Sequence, residues 1–131
     1  KKDFDWKKSE AELNTFPQFK TNISNIDIHF IYSEGKGKKV VPLLLMHGWP
    51  GSVFEFLDII PMLSDPQKYG INSDVAFTVV APSLPGFGLS FTPNQKRFGV
   101  EEIADLLTEL MTKKLSYNKF CVQGGDSGDD L

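Results

Sequence analysis

The 131-residue chain has one cysteine, Cys121, so it cannot form an internal disulfide and needs no oxidising compartment. Set in an apolar stretch, Cys121 is expected to be a small buried core residue. Long hydrophobic runs are also missing. The longest, residues 40–46, is seven residues and contains Pro42, far short of the roughly 20 that span a bilayer. No signal-peptide pattern opens the chain. Positive charge is thin: 14 basic against 17 acidic residues leave a net charge of −3. The basic groups at Lys1, Lys2, Lys7 and Lys8 and at Lys36, Lys38 and Lys39 do not make the stripe that nucleic acid requires. What is present, 40% hydrophobic residues, is ordinary for a globular domain and argues against disorder, collagen or coiled coil. The length suits one domain or part of a larger one. Asn22-Ile23-Ser24 is a glycosylation triplet, which matters only in a secreted or lumenal chain.

Asp5 can cap a short helix over residues 6–14, which Phe16-Pro17-Gln18-Phe19 ends while offering two aromatic rings to another element; residues 1–25 read as an arm. Ile26, Ile28, Phe30 and Tyr32 alternate with Asp27, His29, Ile31 and Ser33 at the period of a half-buried strand. Residues 34–39 read as a turn. Residues 40–46 are apolar on both faces, as a strand covered on both sides must be, and are expected at the sheet centre. Ser52 with Glu55 makes a capping box, and Val53, Phe56, Leu57, Ile60 and Leu63 then keep helical spacing, with Pro61 set to bend or end the helix. Residues 76–81 are a second buried strand, residues 83–91 a Pro/Gly-rich loop, residues 100–114 an amphipathic helix and residues 119–123 a last strand. Glu101 and Glu102 open that helix and Lys113 and Lys114 close it, as its dipole favours. This order of elements predicts an α/β fold with right-handed crossovers and a mainly parallel sheet. Phe54, Phe56, Phe77 and Phe120 are expected in the core.

Two segments can carry chemistry. Gly124-Gly125-Asp126-Ser127-Gly128 directly follows the last strand and has the pattern of a nucleophile elbow, a tight strand-to-helix turn that lifts its middle residue above the sheet. In that frame the nucleophile is Asp126. Making Ser127 the nucleophile puts Asp129 where the second glycine belongs. A helix N-terminus favours the ionised carboxylate of Asp126, while Asp129 and Asp130 oppose it. His47-Gly48-Trp49-Pro50-Gly51 lies at the C-terminal end of the central strand, where open parallel sheets bind ligands. A backbone N–H there and another just after the nucleophile can together hold an oxyanion.

The chain resembles the N-terminal half of a microsomal-type epoxide hydrolase, the branch that includes the insect juvenile hormone epoxide hydrolases. The matches are Phe4-Asp5-Trp6-Lys7 with Leu13-Asn14, Phe19-Lys20-Thr21, Asp27-Ile28-His29-Phe30-Ile31, His47-Gly48-Trp49-Pro50-Gly51-Ser52, Pro82-Ser83-Leu84-Pro85-Gly86-Phe87-Gly88 and Gln123-Gly124-Gly125-Asp126. The resemblance implies the N-terminal portion of an α/β-hydrolase fold: an arm over residues 1–25, then the first half of the core over residues 26–131, ending at the elbow. It implies attack by Asp126 on an epoxide carbon to give an alkyl-enzyme ester, with the oxyanion held by N–H groups that map onto Trp49 and Ser127. Water activated by a histidine–acid pair then releases a vicinal diol, with no cofactor and no metal. The implied partner is a small lipophilic epoxide, and Trp49, Phe87 and Phe91, on loops at the active end, are candidates to line its pocket. Membrane association, at the endoplasmic reticulum or microsomal membrane by the same resemblance, would come only through an anchor not present in this chain.

The chain departs from that family in having Ser127 where tryptophan usually follows the nucleophile. The family's catalytic base, acid and cap tyrosines belong to the second half of its chain, so His29, His47, Tyr32, Tyr69 and Tyr117 inherit none of those roles. The chain by itself is expected to be alkylated once without turnover, and to aggregate or bind chaperones when made alone. Competing readings are a haloalkane dehalogenase, against which Ser127 counts, and a non-catalytic scaffold or fragment of the same fold. A single calcium-binding nonapeptide over residues 124–131 has no neighbouring repeat to stack on.

Overall fold

The computed structural model describes residues 4–128. Asp5 caps the first helix, α1 (Trp6–Leu13), its Oδ1 accepting from the backbone N–H of Lys7 at 3.0 Å and of Lys8 at 3.4 Å. Five strands follow: β1 (Gln18–Ile23), β2 (Ile26–Ser33), β3 (Lys39–Met46), β4 (Val75–Pro82) and β5 (Cys121–Gly124). Their order in the sheet is β1-β2-β4-β3-β5. The sheet is mixed: β4, β3 and β5 run parallel, whereas β1 pairs antiparallel with β2 and β2 antiparallel with β4.

β1 is the element that the sequence hides. Its burial follows no strict alternation, and it joins the sheet through a two-residue hairpin at Ser24 and Asn25, both at positive φ (51° and 65°) as a type I′ turn requires. Six of the 25 residues of the expected arm, Gln18–Ile23, are thus hydrogen-bonded into the sheet. β3 has a neighbour on either side, but the middle place belongs to β4, whose residues from Thr78 to Pro82 are all buried.

The two faces of the sheet carry separate cores. Leu44 and Met46 of β3 face α3 (Val100–Glu109), which buries Leu106 and Leu107 and continues into a π-type turn, Leu110–Lys114, burying Leu110 and Met111. Each such side chain contributes roughly 1.5–3 kcal/mol by leaving water. Leu43 and Leu45 face the opposite way, onto Val53, Leu57 and Ile60.

The helix expected after Ser52 is broken in two. Val53–Phe56 is a 3₁₀ turn that Ser52 Oγ caps by accepting from Phe54 N–H at 3.3 Å, and α2 (Ile59–Ser64) starts separately. Pro61 does not end α2: it sits in the first turn, where a missing N–H costs no intrahelical bond. Phe54 points outward and is exposed, correcting its core assignment; Phe56, Phe77 and Phe120 pack partly buried against the cores. Cys121 is exposed as well, because β5 is the last strand of the described sheet rather than an interior one.

Candidate active site

Parallel pairing brings the chemistry together. β3 and β5 lie side by side in register, Met46 opposite Gly124, so the segments leaving their C-terminal ends emerge at the same place. From β3 comes the turn at residues 47–51; from β5 comes the elbow at residues 125–128. They touch. A Cβ on Gly48 would lie 2.7 Å from Asp126 Cβ, 2.8 Å from Gly125 O and 3.0 Å from Asp126 Oδ1, so only glycine fits there. A Cβ on Gly128 would lie 3.0 Å from Met46 O.

Asp126 itself has φ 56°, the left-handed region that a residue with a Cβ enters at a cost of about 1–2 kcal/mol. Strain of this kind turns the chain sharply off the strand end and leaves the aspartate exposed at the top of the sheet. The turn closes with Gly128 N–H donating to Gly125 O at 3.0 Å. Ser127 follows Asp126 within that turn, Asp126–Gly128. Asp129 and Asp130, whose charge bears on Asp126 in the sequence, and Leu131 lie outside the described residues.

A cleft of about 630 Å³ opens over the elbow, bordered by Gly48, Trp49, Glu55, Phe56, Gln123 and Asp126. Its size is in the range of small-molecule sites. Trp49, on the turn after β3, forms part of its wall. Phe87 and Phe91 border a different hollow of about 400 Å³, which they share with Lys96, Arg97 and Phe98. Glu55 and Phe56 are cleft residues that the sequence reading assigned to a cap and a core face. The clue was available: a cap at Ser52, one residue after the glycine turn, places the next helical turn over the same strand ends.

The chain's two histidines are both committed elsewhere. His47 is buried under Phe87, ring centroids 5.5 Å apart and edge to face. Its Nε2 accepts from Leu84 N–H at 3.0 Å, so Nδ1 carries the proton and donates to Gly48 O at 3.0 Å. His29 is likewise buried, bridging Ser83 Oγ and Gln18 Oε1. Burial, and secondarily the nearby Lys20 ammonium, push its pKa down to about 4. Neither imidazole faces the cleft, and neither can take a proton from water beside Asp126. Of the tyrosines, Tyr69 is exposed, while Tyr32 and Tyr117 share a 2.7 Å hydroxyl bond away from the elbow. Burial, then that bond, raise the Tyr117 phenol to about 12. Among the described residues no group of three or more His, Cys, Asp or Glu is placed to hold a metal ion.

With strand order, glycine turn and elbow in place, comparison with known proteins defines the class. Residues 41–128 match the alpha/beta hydrolase fold, and the chain belongs to that family. Residues 1–56 match the epoxide hydrolase N terminus. A putative epoxide hydrolase of Stigmatella aurantiaca is 46% identical over 125 residues, covering 95% of this chain and 28% of that protein. Epoxide hydrolase 1 of Oryctolagus cuniculus is 44% identical, covering 96% of this chain and 28% of that protein. The crystal structure of juvenile hormone epoxide hydrolase from the silkworm Bombyx mori superposes with a TM-score of 0.84 at 40% identity, covering 96% of this chain and 33% of that one. The chain thus spans about 28% of the length of these curated relatives.

Proposed function

We propose that this chain is the nucleophile-bearing part of an epoxide hydrolase, with residues 1–25 as its arm and residues 26–131 as the first half of its core. The observation that carries this reading is Asp126 held at a left-handed φ of 56° on the strand end, against a glycine that admits no side chain. A carboxylate oxygen of Asp126 attacks one epoxide carbon from the side opposite the ring oxygen. A C–O bond of the ring breaks as the ester C–O bond forms, and the ring oxygen takes a proton from an acid outside the described residues. Water then adds to the ester carbonyl, the oxyanion accepts from the backbone N–H groups of Trp49 and Ser127, and the second hydroxyl of the diol leaves with the oxygen that Asp126 supplied. Since His29 and His47 are both committed, the base that activates this water also lies outside the described residues, and the isolated chain would stop at the ester.

The cleft beside Trp49 and Phe56 suits a small, uncharged, lipophilic epoxide. The family resemblance supports an endoplasmic reticulum or microsomal setting, although among the described residues no helix is long and apolar enough to cross a membrane. Fractionation of cells expressing the full-length protein tests that setting.

The mechanism is tested with a complete hydrolase in which this chain replaces the matching third of the silkworm enzyme. A single turnover of styrene oxide in ¹⁸O-water is expected to give unlabelled diol and to leave the label in Asp126. Label in the diol on the first turnover would mean direct attack by water and would remove Asp126 from its role. Halide release from a haloalkane with no epoxide opening would replace this reading with the dehalogenase one.

A further inference from the structure

His29 makes four polar contacts, three of which hold the two ends of the loop at residues 83–90. Its backbone N–H donates to Ser90 Oγ at 2.9 Å, and its backbone carbonyl accepts from Ser83 N–H at 2.9 Å. Its ring does the rest. Gln18 Nε2 donates to Leu13 O at 3.1 Å, which turns Gln18 Oε1 toward the imidazole; His29 Nε2–H therefore donates to Oε1 at 2.8 Å. That leaves Nδ1 as an acceptor for the Ser83 hydroxyl at 2.9 Å. Lys20, across the β1–β2 pair, is the charged residue opposite His29. With His29 only 3% exposed, the tautomer is fixed by partners rather than by water.

The loop passes this placement on. Next to Ser83, Leu84 N–H donates to His47 Nε2, and His47 Nδ1–H donates to Gly48 O, both at 3.0 Å. Phe87 from the same loop lies edge-on to the His47 ring. Gly48 is the residue pressed against Asp126. A continuous series of short contacts therefore runs from Gln18 on β1 through His29, the loop and His47 to the nucleophile.

We infer that His29 is a positioning residue for the Asp126 site, setting the height of the His47–Gly48 turn through Ser83 and Leu84. This rests on the proposed epoxide-opening reading for its kinetic readout but not for its structural one. Rate is sensitive to such placement, since an error of about 1 Å at reacting atoms costs on the order of a hundredfold.

The test uses the complete hydrolase carrying this chain, with His29→Leu, His29→Asn and Ser83→Ala, and follows the single-turnover rate of ester formation by intact mass. His29→Leu is expected to slow ester formation roughly tenfold or more per folded molecule, with half-saturating styrene oxide changed less than about threefold. His29→Asn, which keeps a polar atom near the place of Nδ1, should recover most of the rate. Combining His29→Leu with Ser83→Ala should be no slower than the worse single variant, because both act through one contact. A rate in His29→Leu equal to the parent's overturns the inference. Should His29→Leu fail to fold, Ser83→Ala carries the test, with a loss of about fivefold expected and an unchanged rate overturning it.

The imidazole ¹⁵N resonances of His47, assigned by comparison with His47→Gln, give a readout that needs no catalysis. They should shift in His29→Leu and Ser83→Ala, and unchanged resonances in both would overturn the inference. If the parent forms no ester at all, the epoxide reading fails and these spectra alone decide whether His29 sets the turn.

Discussion

Replacing Gly48 with alanine exchanges a hydrogen for a methyl group where the two turns meet. The new Cβ would stand 2.7 Å from Asp126 Cβ and 2.8 Å from Gly125 O, whereas unstrained carbon contacts lie at roughly 3.5–4.0 Å. About 1 Å must be found, and the obstacles are backbone atoms and a Cβ, none of which can swing aside as a long side chain would. Overpacking of this kind costs about 1–3 kcal/mol in stability. The larger effect is on chemistry, because relief comes from the two turns parting and carries Asp126 away from the Trp49 N–H; an approximately hundredfold loss in ester formation is expected. The assay is the single-turnover rate in the complete hydrolase, normalised to the folded fraction from a urea titration. Gly99→Ala is the control, since a Cβ there meets nothing within 4 Å and only a helix start is touched. Parent-like ester formation in Gly48→Ala would refute the idea that contact between the two turns sets the nucleophile.

Asp126→Asn keeps the shape of the elbow and removes the proposed nucleophile, so the ester-forming rate should drop by at least about a thousandfold with folding unaffected; a residual rate within tenfold of the parent would exclude Asp126. His29 makes stability depend on acid. Above pH 6.5 it is neutral whether folded or not, but between 6.5 and about 4 the unfolded chain takes up a proton that the folded one refuses. Stability should therefore fall by about 1–2 kcal/mol as the pH drops through that window, allowing for screening by solvent, and urea midpoints in His29→Gln should lack this component. Tyr117→Phe removes a 2.7 Å hydroxyl bond to Tyr32 and should cost no more than about 1 kcal/mol; in the parent, ultraviolet titration should show one phenol ionising near pH 12. Phe87→Ala and Phe91→Ala test whether the hollow they share belongs to the substrate path. If it does, the rate ratio of bulky to small epoxides should change by about three- to tenfold, and unchanged preference and stability would remove them from the pocket.

Local signals carried much of this structure. Asp5 caps α1 as its position before Trp6 suggests, the two-faced apolar run of β3 is an interior strand, and the periodic face of α3 packs as its spacing requires. What stayed hidden depends on distant partners. β1 holds its place by pairing with β2, not by its own alternation. Val53, Leu57 and Ile60 are correctly inward, but Phe54 lies on the outer side of the 3₁₀ turn that Val53 anchors and is exposed. The exposure of Cys121 follows from its strand's place at the edge, which no single segment encodes. At the site, the two glycine motifs were legible because each needs a residue without a Cβ. The cleft walls at Glu55 and Phe56 were not, and the tie from His29 to Ser83 joins positions 54 apart.

The left-handed backbone at Asp126 also acts as a filter on what can occupy that position. Asparagine tolerates this conformation about as well as aspartate, and glycine better still, while valine, isoleucine or threonine would add strain from their branched Cβ. Exchange of one carboxylate oxygen for an amide group is thus the gentlest way to silence the position. On the proposed reading the result would be a receptor: the same cleft and the same turn, holding an epoxide it can no longer open. Such a variant would let the intact substrate be seen in place, and its affinity read free of reaction.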